Sequence, residues 1–356
     1  LRMTTGHDAP FRRLHFAGVA GSGMSALAQY HLLAGGAASG SDRSFDRADP
    51  DPAALEIRRK LEALGLELSP QDGSALARSP LPDAVIVSTA VEGTVPDVQA
   101  ARSRQVPVLH RSELLARWVE ERRTIAVTGT SGKSTVTAMV FEILTHAALD
   151  PSILTGGDLL TLRARGLLGN AWAGKGDLLV IEADESDGSL VRYAPWMGVL
   201  LNVQRDHQEP AELTANFRTF RGRVRGPFLL VEDAELLGPE ADLAALRAGA
   251  VRFGLAEECD VRATEIDLGA ETARFVAVAR AAAPAGEEES ASCLLPVPGL
   301  HNVRNAVAAL AAARAAGVPL RRGAEALAGF AGVARRFQRI GRARGVEVVD
   351  DFAHNP

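Results

Sequence analysis

At 356 residues the chain is longer than a single hydrophobic core usually serves, which predicts two or three domains. A net charge of −5 excludes the basic stripe of a general nucleic-acid binder, and no apolar run is long enough to read as a membrane span. Cys259 and Cys293 stand far apart without metal-ligand spacing, so a reducing compartment is expected; with no leader-like start, that means the cytoplasm.

Residues 1–10 are polar and open no element. "RRLHFAGVAGSGMSALAQYHLLAGG" then reads as strand, glycine turn and helix, closing at Gly35 and Gly36. "AASGSD" is a short strand ending at Asp42, "PDAVIVSTAV" an apolar strand ending at Ser88 and Thr89, and "VPVLH" another strand. "RSELLARWVEE" reads as a helix with Ser112 as its N-cap. Strands alternating with helices predict a parallel sheet covered on both faces.

The pattern restarts at Thr124. "TIAVTG", "DLLVIEAD" and "MGVLLNV" are apolar strands ending in polar residues, and ligand groups collect at such strand ends. "FLLVED", "AVRFGL" and "ARFVAVAR" read as strands, and "APAGEEES" as a solvated turn. "HNVRNAVAALAAARAAGV" is a long helix stopped by Gly317, and "LRRGAEALAGF" one more. "VEVVDDFAHNP" is a strand running into a loop, with no further element to pack it, which predicts that a domain is missing.

Four groups of residues carry chemistry. In "TGTSGKST", Gly129 and Gly132 permit a tight turn whose N–H groups approach an anion at a helix N-terminus. Lys133 would reach phosphate oxygens, Ser134 would ligate Mg²⁺, and Thr130 and Thr135 lie within reach of phosphate. The spacing is more compact than G-x-x-x-x-G-K-[ST], since Val127 stands where the first glycine would be. In "VIEADESDGS", Glu182, Asp184, Glu185 and Asp187 crowd a strand end, a costly arrangement unless a cation offsets it. Asp206 and His207 follow the next strand. Near the start, Gly18, Gly21 and Gly23 give G-x-x-G-x-G, which departs from the dinucleotide fingerprint but still suits a diphosphate, with Asp42 placed for ribose or base hydroxyls. A nicotinamide-dependent oxidoreductase fails on that spacing and leaves Lys133 and the acidic turn without a role.

Together these motifs resemble the Mur ligase family, ATP-dependent amide-forming enzymes of peptidoglycan precursor synthesis. "GVAGSGMSALA" with "SGSD", "GTSGKST", "EADESD", "NVQRDH", "PGLHNVRNAVAALAAA", "RRFQRIG" and "VVDDFAHNP" follow the family's order over nearly the whole chain. The resemblance implies an α/β fold in three parts. Residues 1–122 would form a Rossmann-like domain for the UDP-substrate, 123–333 a P-loop-type central ATPase domain, and 334–356 the opening of a truncated third domain.

It also implies roles. Gly129, Thr130, Gly132, Lys133, Ser134 and Thr135 would hold ATP, with Ser134, Glu182 and His207 as Mg²⁺ ligands. Asn305, with His301 and Asn302, would face the adenine side, Arg336 the phosphates, Asp351 the ribose and His354 the base. Gly21, Ser22, Gly23, Asp42, Ser88 and Thr89 would line the UDP site. Lys133, His207 and Arg336 would be catalytic. The substrates implied are UDP-N-acetylmuramate or a UDP-muramyl peptide, and an amino acid or peptide amine. Ser131, Asn355 and "RDHQEP" depart from the alanine-adding pattern; "DFAH" leans toward the tripeptide-adding branch, whereas "GSGM" and "EADESDGS" lean toward the alanine-adding one. Lacking most of the third domain, 356 residues alone are expected to show weak ligase activity or none; a nucleotide-binding protein without ligase activity is the alternative.

Overall fold

The computed structural model describes residues 11–185, 188–202, 210–232, 240–280 and 288–351. The chain forms two compact units, one of residues 1–117 and 165–173, the other of 118–164 and 174–356. The first unit holds β1 (Arg13–Ala17), α1 (Ser22–Leu33), β2 (Ala37–Ser41), α2 (Pro52–Ala63), β3 (Glu67–Leu68), β4 (Ala84–Val87), α3 (Pro96–Ser103) and β5 (Val108–His110). Its sheet is wholly parallel in the order β3-β2-β1-β4-β5. The order reverses between β1 and β4, so the crevice beyond their carboxyl ends is the topological switch point. Leu14, Phe16, Val85 and Ile86 are fully buried, as expected of strands covered on both faces. His15, Ser39 and Ser41 of the sheet form a polar network with Asp97 of α3, with His15 Nδ1 2.9 Å from Ser39 Oγ and Gly73 N donating to Asp97 at 2.7 Å. Burial works to raise the Asp97 carboxyl, but hydrogen bonds from His15 and Ser41 outweigh it and hold the group below its ordinary range.

Helix α4 (Arg111–Glu121) begins two residues earlier than the Ser112 cap predicts. Its first turn is closed by Glu113, whose carboxylate accepts from His110 N at 2.7 Å, the reach-back half of a capping box. The Ser112 hydroxyl instead pairs with His110 Nδ1 at 2.7 Å.

The second unit opens with β6 (Arg123–Thr128), α5 (Lys133–His146), β7 (Ser152–Leu154) and α6 (Leu160–Arg163). Residues 165–173, with the short strand β8 (Ala171–Trp172), group with the first unit. The chain then continues through β9 (Leu178–Glu182), β10 (Met197–Leu200), α7 (Pro210–Arg223), β11 (Phe228–Val231), α8 (Glu240–Arg247) and β12 (Val251–Gly254). The sheet runs β13-β12-β11-β10-β6-β9-β7 in parallel, where β13 is Val261–Leu268. Beyond β13 it turns antiparallel through β14 (Ala273–Ala279) and β15 (Glu289–Leu295). In β15, Ala291, Cys293 and Leu295 face inward while Ser290, Ser292 and Leu294 face out, the alternation of a sheet with one wet side.

Helices α9 (Leu300–Ala315) and α10 (Leu320–Leu327) pack with α5 around Met139, Ile143, Val307 and Leu310. Glu142 on α5 accepts from Thr161 Oγ1 at 3.0 Å, and burial pushes its carboxyl up to about 7. The Cys259 and Cys293 thiols are buried and pushed up to about 12, by desolvation first, which leaves them unreactive. Residues 338–350, within the stretch expected to open a third domain, form a hairpin of β16 (Gln338–Ala343) and β17 (Val346–Asp350) that groups with the second unit. Among the described residues no helix is long and apolar enough to cross a membrane.

Candidate active site

Three adjacent strands, β9, β6 and β10, deliver their carboxyl ends to one place. The turn after β6 carries Gly129 at φ 131° and Gly132 at φ 85°, both in the region that favours glycine. A Cβ on Gly132 would lie 2.5 Å from Asn305 Oδ1, and one on Gly129 would lie 2.9 Å from the Asn202 carbonyl, so crowding as well as backbone angle dictates glycine. Gly132 caps α5 without a side-chain hydrogen bond, so the helix presents open N–H groups and its dipole to the turn. Asn202, just past β10, fastens the turn: its Oδ1 accepts from Ser131 N and its Nδ2 donates to Ser131 O, each at 2.8 Å. Its carbonyl accepts from Thr130 N at 2.9 Å.

Lys133 Nζ donates to Gly129 O at 2.8 Å and to the Glu185 carboxylate at 2.9 and 3.1 Å. Burial raises the Glu185 carboxyl and prevails over the opposing charge and hydrogen bond of Lys133. The adjacent Ser134 hydroxyl donates to Glu182 Oε1 at 3.0 Å. Glu182 Oε2 accepts from Thr155 Oγ1 and Gly156 N, each at 2.7 Å, so the carboxylate is held by three donors and aimed at the helix start. A hydroxyl beside a fixed carboxylate is a hard-oxygen pair of the kind Mg²⁺ takes, and the open turn with its lysine suits a polyphosphate. The residues therefore fit both groups. Among the described residues no cluster of three or more His, Cys, Asp or Glu side chains could hold a metal. Asp187, Asp206, His207 and His354 lie outside the described residues.

Thr135 is half-buried on the first turn of α5. Asn305 comes to the glycine turn itself, since its Oδ1 occupies the space beside Gly132. Asn302 faces inward, donating to Pro298 O at 2.7 Å and accepting from Asn305 Nδ2 at 3.4 Å. His301 is exposed at the start of α9. Arg336 is exposed at the root of the hairpin, where Asp351 Oδ1 accepts from Phe337 N at 3.4 Å.

In the first unit, Gly21, Ser22 and Gly23 form the uncapped N-terminus of α1 at the switch point. The Asp42 carboxylate is turned inward, accepting from Ala20 N at 2.9 Å and from Ser44 N and Oγ at 2.9 and 2.7 Å. It braces the turn. Ser88 is half-buried and Thr89 exposed after β4, and the loop they begin carries Val91, 3.0 Å from where a Gly18 Cβ would sit. Arg111, opening α4, packs its guanidinium 2.9 Å from the Cβ position of Gly23, bringing a cation to the turn. Neither Arg111 nor Thr155 stands in a motif that marks it, and Asn202, although it opens "NVQRDH", was given no role there, because each reaches its site through strand order rather than sequence spacing.

Comparison with known proteins agrees with this layout. The Mur ligase family catalytic-domain model matches residues 13–123, and the Mur ligase middle-domain model matches 127–313. The UDP-N-acetylmuramate–L-alanine ligase of Geobacter sulfurreducens is 37% identical over 97% of this chain and 71% of its own length. That of an Azoarcus species is 38% identical over 97% and 72%. The crystal structure of the UDP-N-acetylmuramate–alanine ligase of Thermotoga maritima superposes with a TM-score of 0.75 at 28% identity, covering 96% of this chain and 74% of that one. A murein peptide ligase from Psychrobacter arcticus gives 0.74 at 25%, covering 97% and 73%. With both matched regions falling on the two units that carry the glycine turns, this chain belongs to the Mur ligase family of ATP-dependent ligases.

Proposed function

We propose that this chain joins the carboxylate of UDP-N-acetylmuramate to the amino group of L-alanine at the expense of ATP, in the cytoplasm. The observation that carries the reading is the meeting of Lys133, Ser134 and Glu182 beside an anion-binding glycine turn. The substrate pair is the one named for the relatives that share 37–38% of its residues.

A carboxylate is a poor electrophile. Its oxygen bonds to the γ-phosphorus of ATP as the bond to ADP breaks, giving an acyl phosphate. The amine nitrogen then bonds to the carbonyl carbon, the carbon–oxygen bond to phosphate breaks, and the amine proton departs. Lys133 and the open N–H groups at the start of α5 offset the negative charge of the phosphoryl group in transit. Ser134 and Glu182, with His207, would hold Mg²⁺, which supplies further charge neutralisation. Asn305, His301 and Asn302 would bound the adenine side, Arg336 the phosphates, and Asp351 and His354 the ribose and base. Gly21, Ser22 and Gly23 would take the diphosphate at the N-terminus of α1, with Ser88 and Thr89 beside it and Asp42 keeping the turn in shape.

The test is phosphate release from ATP with UDP-N-acetylmuramate, comparing L-alanine with a tripeptide amine, since "DFAH" leans toward the peptide-adding branch. Release should require both acceptor and L-alanine and should vanish in Lys133→Met. Release that ignores the UDP-substrate, or a preference for the tripeptide, would overturn the reading.

A further inference from the structure

We infer that Asn170 is a positioning residue for the glycine turn at the start of α1. Residues 165–173 fall inside the stretch matched by the middle-domain model, yet they pack as part of the first unit. Leu167, Leu168 and Ala171 are buried there, and Lys60 Nζ donates to Leu167 O at 3.1 Å. Asn170, only 3% exposed, faces α1. Its Nδ2 donates to Ser22 O at 3.0 Å and to Ser25 Oγ at 3.2 Å, while its Oδ1 accepts from Gln29 Nε2 at 2.6 Å. Gln29, fully buried, completes the set: its Nε2 also donates to Ser25 O at 3.2 Å and its Oε1 accepts from Leu168 N at 3.3 Å.

Every polar atom of both amides is paired, and turning either amide over would set donor against donor or acceptor against acceptor. The network therefore has one orientation. It ends on the carbonyl of Ser22, the first residue of α1, between Gly21 and Gly23. Three glycines in six residues make that turn loose by itself. Asp42 holds it through Ala20 N, and Asn170 holds it through Ser22 O. Between those two grips the backbone N–H groups that would receive a diphosphate are oriented before the ligand arrives, which spares the ordering cost of binding.

This rests on the reading of the turn as the UDP site, and the two can fail separately. Calorimetry on the full chain would measure UDP-N-acetylmuramate and an ATP analogue with the wild type, Asn170→Ala and Lys60→Met. The wild type should bind both. Asn170→Ala should weaken the UDP ligand at least ten-fold and leave the ATP analogue within two-fold. Lys60→Met, which loosens the same segment without touching the turn, should leave both within two-fold. Hydrogen exchange in Asn170→Ala should speed up over residues 18–26 while β1 and β4 keep their protection. A wild type that fails to bind the UDP ligand overturns the reading of the turn. A wild type that binds, with Asn170→Ala unchanged, overturns the positioning role. So does loss of protection throughout the sheet, which would make Asn170 a general packing residue.

Discussion

Lys133 has three donor hydrogens, and in this structure its contacts are Gly129 O, Thr130 O and the Glu185 carboxylate. A phosphate arriving at the turn must compete with Glu185 for the ammonium, and it meets the repulsion of the same carboxylate. Both effects act in one direction. Glu185→Gln keeps the size and removes the charge, so it should tighten ATP about three- to ten-fold, on the order of 1 kcal/mol. Titration with a fluorescent ATP analogue measures this; weaker binding would instead show that Glu185 helps to hold the nucleotide or its metal. That Lys133, Ser134 and Glu182 come together was legible in the sequence, because each ends an apolar strand or opens the helix that follows one. Asn202 was legible only as the opening residue of "NVQRDH", and its role was not: its two hydrogen bonds to Ser131 span 71 positions and exist only because β10 lies beside β6. Asn302 and Asp42 were legible as polar residues near a site, but which way each side chain turned depended on the carbonyl or N–H already waiting for it.

Helix α5 carries the glycine turn at one end and Glu142 three turns further on. That carboxyl is linked to Thr161 of α6 and to the backbone of Ala331, so one buried group ties three segments. Its value rises from about 4.5 to about 7, chiefly because burial disfavours the charged form. Below the lower value both states hold the proton and Glu142 costs nothing. Between the two, the folded chain keeps a proton that the unfolded chain releases, so stability falls as pH rises, and above about 7 the loss is complete. The span corresponds to roughly 3 kcal/mol at most. Glu142→Gln keeps the acceptor for Thr161 and cannot ionise. Its stability relative to wild type should therefore grow by about 1–3 kcal/mol between pH 5 and 8, read from urea midpoints; a constant difference would sink the assignment. Strands β4, β6, β9, β10 and β11 were legible as apolar runs, because burial on both faces leaves no polar alternation, whereas β3, β7 and β13, two of them very short and the third rich in charged residues, were not legible as strands. Strand β15 was missed for the converse reason: "ESASCLL" alternates between small residues, and the contrast of Ser with Ala or Cys is faint.

At the scale of the whole molecule, the sequence divided the chain at contiguous boundaries, whereas its packing returns residues 165–173 to the first unit. Nothing in "RGLLGNAWA" signals that return, since its apolar residues would suit either core. The hairpin of β16 and β17 was legible only in its second strand. Two strands alone are marginal in water. This pair leaves Ile340, Val346 and Val348 exposed by 58%, 65% and 48%, so apolar burial holds it only weakly. What fastens it is Arg339, which pairs across the hairpin with Glu347 at 3.1 Å and with Glu271 in the β13–β14 turn at 3.3 Å. Exposed ion pairs contribute at most about 1 kcal/mol each, yet a hairpin with little else should feel the loss. Arg339→Ala should raise hydrogen exchange over residues 338–350 several-fold and leave β6 and β9 unchanged. Equal exchange in the two proteins would mean that the strand pairing itself, rather than the arginine, keeps the hairpin in place.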